Sequence, residues 1–170
     1  MTRLIAIDPA LRNTGYAVVE RLGSGAGLTC LEYGVIRNPA TRLQSACLTQ
    51  IHSEVADVVA RLRPGECAIE AVIYVQSYRT AITLGAARGA ALVAVAAAGL
   101  PVVEYPPRRV KQAVVGRGGA DKQQVAFMVR SLLSLRETPP PDAADALAIA
   151  ITHFQSNRPN HPRAADVRNL

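Results

Sequence analysis

The sequence predicts an α/β fold: a mixed five-stranded sheet, made of a three-stranded meander plus two parallel strands, with helices on both faces. Two observations carry this. Near the N-terminus, three strand-like segments follow one another through short turns, as antiparallel strands do. After Thr41 the pattern changes to helix, strand, helix, strand, and strands joined across helices run parallel. A third observation sets the scale. The chain has 170 residues, 49% of them hydrophobic, and no Pro/Gly/Ser-rich linker, which suits one well-buried core. One domain is expected over 1–155, followed by a basic tail, 156–170, expected to be disordered.

Each element has a local reason. Residues 3–8 read as a buried strand whose apolar run ends at Asp8. Residues 15–20 and 30–37 alternate as two more strands, joined by the glycine-rich turn 23–27. From Thr41, read as an N-cap, Leu43, Cys47, Ile51, Val55, Val58, Val59 and Leu62 keep helical spacing until Pro64 ends the run. Residues 67–70 form a short strand closed by Glu70, 77–99 an Ala-rich helix and 101–105 another strand. A short helix fits 106–115. Residues 121–135 form a helix with Asp121 near its cap, and Pro141 at the first helical position begins a last helix to about Gln155. The tail carries Pro159, Pro162 and three arginines.

Composition narrows the function. The longest apolar stretch, 89–103, contains Gly99 and Pro101, follows Arg88 and is too short to span a bilayer, and the N-terminus lacks a signal-peptide pattern. A soluble, cytoplasmic protein with no membrane partner is expected. Cys30, Cys47 and Cys67 are odd in number and unpaired in spacing, so they read as small core residues in a reducing compartment. The net charge is +6, and between positions 105 and 136 Arg108, Arg109, Lys111, Arg117, Lys122, Arg130 and Arg136 face one acid, Asp121. Clustered positive charge attracts a phosphate backbone through counterion release. The competing reading is a solvated basic face, because 17 of the 19 cations are Arg.

Acids are scarcer, and four sit at element ends: Asp8, Glu70, Asp142 and Asp145. If the first and fourth strands are parallel neighbours, Asp8 and Glu70 leave the sheet at one edge, where open α/β sheets place their ligands. Asp142 and Asp145, three apart, share one face of the last helix, while Leu147, Ile151 and Phe154 lie on another that can pack on the sheet. Taken singly, Asp142 is a first-turn acid favoured by the helix dipole and Asp145 a solvated helix residue. Taken together, the four acids form a candidate site for hard divalent cations, which want oxygen ligands and can clamp a phosphodiester during cleavage.

At this point the residues carry a resemblance. Residues 7–17 (IDPALRNTGYA), 68–70 (AIE), 84–89 (LGAARG), 104–105 (EY), 110–125 (VKQAVVGRGGADKQQV) and 142–153 (DAADALAIAITH) closely resemble, in order, the RuvC family of crossover-junction endodeoxyribonucleases. The resemblance implies a ribonuclease H-like fold, a homodimer, Mg²⁺ dependence, and symmetric nicking of four-way (Holliday) junctions in recombination and repair. It also implies a branch-migration helicase complex as a partner. Carried over by motif, Asp8, Glu70, Asp142 and Asp145 are the expected catalytic acids. Asp8 would bridge two Mg²⁺ ions, with Mn²⁺ an alternative; one ion would activate water and the other stabilise the departing 3′ oxygen, leaving a 5′ phosphate. Lys111 and Lys122, the only two lysines, match the family's motif lysines and are assigned to the scissile phosphate. Further DNA contacts are expected from Arg79, Arg108, Arg109, Arg117 and Tyr78.

The chain departs from the family pattern at two places. Ala10 stands where the family usually has glycine, and Ile73 where many relatives carry an aromatic that stacks on bases at the junction centre. Tyr74 and Tyr78 are the nearby candidates for that stacking. Gly85, Gly89 and Ala96 fall on one stripe of the 77–99 helix, suited to a second helix or to the sheet. Tyr16 and His153 are expected to be structural, and Gly116, Gly118 and Gly119 either approach a phosphate or act as a flexible connector. Two other functions stay open: a catalytically weak junction-binding protein of the same fold, and an actin-like phosphotransferase. Against the second, 170 residues leave no room for the other half of a nucleotide cleft.

Overall fold

The computed structural model describes residues 2–23, 27–72, 77–157 and 168–170. Its strands are β1 (Thr2–Asp8), β2 (Asn13–Arg21), β3 (Leu28–Arg37), β4 (Glu66–Glu70), β5 (Val102–Tyr105) and β6 (Arg168–Asn169), paired in the order β3-β2-β1-β4-β5-β6. The meander β1–β3 is antiparallel, and β4 and β5 add in parallel to β1. The five expected strands are present. A sixth adds to the expected five: Arg168 and Asn169 pair antiparallel with Glu104 and Val103, and the Leu170 N–H donates to the Val102 carbonyl at 3.0 Å. The cause is the unpaired backbone of an edge strand, which accepts a short segment whatever its side chains.

Alternation along the strands sorts two cores. Ile5, Ile7, Val18, Cys67, Ile69 and Val102 point to one face, covered by α1 (Gln44–Leu62) and α2 (Tyr78–Ala97). Leu4, Ala6, Ala17, Val19, Ala68, Val103 and Tyr105 point to the other, covered by α3 (Pro107–Val115), α4 (Lys122–Leu132) and α5 (Pro141–Ser156).

Caps explain some of the helix limits. The α1 cap differs from the Thr41 expected: the helix starts at Gln44, with Leu43 in the cap position and no side-chain cap bond. It ends at Arg63 in the left-handed conformation, because Pro64 disfavours the helical region at the residue before it. Ser77 caps α2 by accepting from the Thr80 N–H, and Asp121 and Gln124 form a reciprocal capping box on α4. By length and composition α2 could cross a bilayer. It lies on the sheet instead through Ala87, Ala91, Ala94 and Val95, leaving Ile82 and Val93 exposed.

Helix α5 departs from the two-faced helix expected. Every residue from Ala146 to Phe154 is buried, so the middle of the helix is enclosed on all sides, while Asp142, Asp145 and Gln155 nearer its ends are partly open. Its far end is tied down. Arg21 donates to the Phe154 carbonyl and stacks on the Phe154 ring at 4.7 Å. His153, fully buried, meets the Tyr105 hydroxyl at 3.1 Å through Nδ1 and Glu66 at 3.1 Å through Nε2. Structural roles for His153 and for Tyr16, whose hydroxyl donates to Glu32 at 3.1 Å, follow from these partners.

Candidate active site

The parallel pairing of β1 with β4 aligns Ile7 with Ile69, which sets Asp8 and Glu70 side by side at the carboxyl end of the two strands. Both share the strand parity of Ala6 and Ala68, so both face α5. On the other side Asp8 pairs with Gly15 of β2. A side chain at Gly15 would lie 2.6 Å from the Asp142 carbonyl carbon and closer still to its oxygen. The missing Cβ is what lets the first turn of α5 settle beside Asp8, and Asp145 comes in one turn later.

A pocket of about 160 Å³ results, lined by Asp8, Glu70 and Asp145 together with Lys111 of α3 and Lys122 of α4, and walled by Pro107, Val110 and Val125. Lys122 Nζ donates to Asp145 Oδ2 at 3.0 Å, and this bond raises the lysine's pKa. Burial pushes Asp8 up to about 8, helped by the charges of Glu70, Asp145 and Asp142 and opposed by Lys122. Burial likewise pushes Glu70 up to about 7, helped by Asp145 and opposed by Lys122, Lys111 and a hydrogen bond with Asp8. The pocket is therefore short of positive charge.

Its donor set is all oxygen and partly desolvated, which suits a hard divalent cation. Among the described residues, no three His, Cys, Asp or Glu side chains stand close enough together to chelate one ion. In that arrangement the Lys122 ammonium sits on the Asp145 carboxylate at 3.0 Å. The residues fit a cation that takes over the countercharge lysine now supplies.

The other expected residues are distributed as follows. Asp142 is half-buried and acts on Asp8 through its charge without lining the pocket. Arg117 donates to Gln124 at 2.7 Å, Arg108 packs its stem on Gly118, and the buried Nε of Arg109 has no partner among the described residues. Gly116 ends α3 with φ 83°, which favours glycine. Tyr78 and Arg79 are exposed at the start of α2. Ile73 and Tyr74 lie outside the described residues. Sequence reasoning missed Gly15 as the spacer under α5; its signal was the small residue pairing with Asp8 once the meander is drawn. It also missed Thr14 and Asn38, buried polar residues that hold the turn after Asp8.

A profile of crossover junction endodeoxyribonuclease RuvC matches residues 4–153, a span that includes all four acids and both lysines. The chain belongs to the RuvC family. It is 54% identical over 157 residues to the RuvC of Akkermansia muciniphila, covering 92% of this chain and 93% of that one. It is 49% identical over 155 residues to a Coxiella burnetii RuvC, covering 91% and 88%. The structure of Thermus thermophilus RuvC in complex with Holliday junction substrate superposes with a TM-score of 0.88 at 36% identity over the whole of both chains. The yeast mitochondrial Holliday junction resolvase Ydc2, at 11% identity and a TM-score of 0.62 over 89% of this chain and 78% of that one, shares the fold. As a RuvC-family member the chain is a crossover junction endodeoxyribonuclease with a ribonuclease H-like sheet.

Proposed function

We propose that the protein, acting as a homodimer, resolves four-way DNA junctions by paired symmetric nicks that leave 5′ phosphate and 3′ hydroxyl ends. In this reading Asp8, Glu70, Asp142 and Asp145 hold two Mg²⁺ ions. The observation that supports it is one pocket lined by carboxylates from β1, β4 and α5 and by both of the chain's lysines. When bound, the cations supply a Lewis acid for the phosphoryl oxygens and an acidified water as nucleophile.

The chain's own residues do the rest. Asp8 and Glu70, whose ionisation is held back by burial first and by neighbouring carboxylate charge second, would be favoured in their charged forms by a bound cation. Lys122, now paired with Asp145, and Lys111 both line the pocket and would face the scissile phosphate and the charge that builds on it during displacement. The enclosed wall of Pro107, Val110 and Val125 limits water around these charges and so strengthens their interactions. A symmetric substrate with two cuts calls for two copies of the site. The exposed Ile82 and Val93 of α2, beside Gly85 and Gly89, offer the apolar, closely approachable face such a pair needs. The helicase partner implied by the resemblance would deliver the junction.

The test compares wild type with Asp8→Asn on labelled four-way and linear duplex DNA, with Mg²⁺ or EDTA. Wild type should nick only the branched substrate and only with metal, while Asp8→Asn binds it without cutting. Nicking by Asp8→Asn at the wild-type rate, or by wild type in EDTA, would remove the assignment.

A further inference from the structure

A second pocket opens at the same end of the sheet as the carboxylates. Its volume is about 360 Å³, and it is lined by Ala10, Leu11, Arg79, Thr80, Thr83 and Leu84. Ala10 stands two residues beyond Asp8, so the two Cα atoms are at most about 7.6 Å apart, twice the step of a trans peptide. The facing wall is the first two turns of α2.

The near wall is held rigid by two buried polar side chains. The Thr14 hydroxyl donates to the Ala10 carbonyl at 2.6 Å and accepts from the Ala10 N–H at 3.3 Å. Asn38 donates from Nδ2 to the Leu11 carbonyl at 3.0 Å and from its backbone N–H to the Arg12 carbonyl at 2.8 Å. Thr14 is 0% and Asn38 5% exposed, so the core of the molecule fixes the shape of a surface turn. A wall set before anything binds spares the ordering cost of binding.

The lining has a definite chemistry. Leu11, Leu84 and the Ala10 methyl are aliphatic, and the Thr83 hydroxyl makes no hydrogen bond within the described chain. Arg79 is exposed at the rim. A free anion would have no use for the aliphatic walls, and an apolar peptide side chain would have none for the cation. A flat polar ring attached to a phosphate uses both.

We infer that this pocket receives one unstacked nucleobase of the cut strand, adjacent to the scissile phosphate. Leu11 and Leu84 clamp its faces, Thr83 meets its edge, and Arg79 pairs with the neighbouring phosphate. The inference rests on the nuclease reading above, which puts the scissile phosphate at Asp8, two residues before Ala10. It gives the enzyme a means of cutting at different rates according to the base at that position.

The test uses four-way junctions carrying 2-aminopurine, whose fluorescence rises on unstacking, at each nucleotide flanking the cut. They are bound at saturation by Asp8→Asn protein. One position should brighten severalfold. Adding Thr83→Phe, which fills the pocket, should abolish that rise while the junction stays bound; Thr83→Leu, a smaller filler, should reduce it. In the active enzyme, the rate ratio between the preferred base and an abasic residue at that position should be about tenfold, as one good base contact provides, and should fall to near one in Thr83→Phe. The ratio is taken within one protein, so partial loss of folding does not affect it. No brightening at any position, or brightening and a rate ratio that both survive Thr83→Phe, overturns the inference. Either result leaves the metal-dependent loss of nicking in Asp8→Asn standing as a separate measurement.

Discussion

Adding one methyl group at Gly15 should disable the enzyme without touching an acid. The new Cβ would lie 2.6 Å from the Asp142 carbonyl carbon, against 3.4 Å for ordinary contact. That is a shortfall of 0.8 Å, and the oxygen lies closer, so the first turn of α5 must retreat by about 1 Å or more. The far end of α5 cannot share the shift, because Arg21, Tyr105 and Glu66 hold Phe154 and His153. The displacement therefore concentrates at Asp142 and Asp145, opposite an unmoved Asp8 and Glu70. Misplacement of about 1 Å can cost on the order of 100-fold in rate, while overpacking of this size costs about 1–3 kcal/mol of stability. The assay is single-turnover nicking of a four-way junction at saturating protein, with binding measured separately by gel shift. Gly15→Ala should bind as wild type does and cut about 100-fold more slowly. Gly27→Ala, where an added Cβ meets nothing within 4 Å, is the control. A Gly15→Ala enzyme that cuts within a few-fold of wild type would refute the claim that this contact sets the position of α5.

Two other outcomes follow from the buried charges and the helix anchor. Because Asp8 and Glu70 are raised to about 8 and 7 while unfolded carboxylates titrate near 4, the folded chain binds more protons between those values. In EDTA, its melting temperature should fall as pH rises from about 4 to 8, and Asp8→Asn should flatten that fall. A metal-free melting curve independent of pH over that range would contradict the burial of ionisable Asp8 and Glu70. Tyr105→Phe removes the hydroxyl that meets His153 Nδ1 in a fully buried site and should cost about 1–3 kcal/mol, read from urea denaturation. An unchanged midpoint would mean that this bond does not secure α5.

Much of this was legible in the sequence because the signals are local. An apolar run closed by an acid, a Pro at the first helical turn and a meander before a crossover each report on a few neighbouring residues, and together they put Asp8, Glu70 and α5 at one sheet edge. What escaped depends on contacts between distant segments. Gly15 matters through a backbone carbonyl 127 positions later, the difference between 15 and 142. His153 acquires its role only when β4 and β5 bring Glu66 and Tyr105 to it. The enclosure of the middle of α5 on all sides was hidden by its alanines, which fit an exposed or a buried face equally well. The sixth strand was missed because Arg168 and Asn169 have little strand propensity, and the pairing uses main-chain groups.

That short strand bears on how the protein meets its neighbours. Residues 168–170 shield the backbone of β5, which without them would offer a free row of donors and acceptors to any extended segment nearby. Disturbing residues 168–170 would uncover that row and expose it to neighbouring molecules.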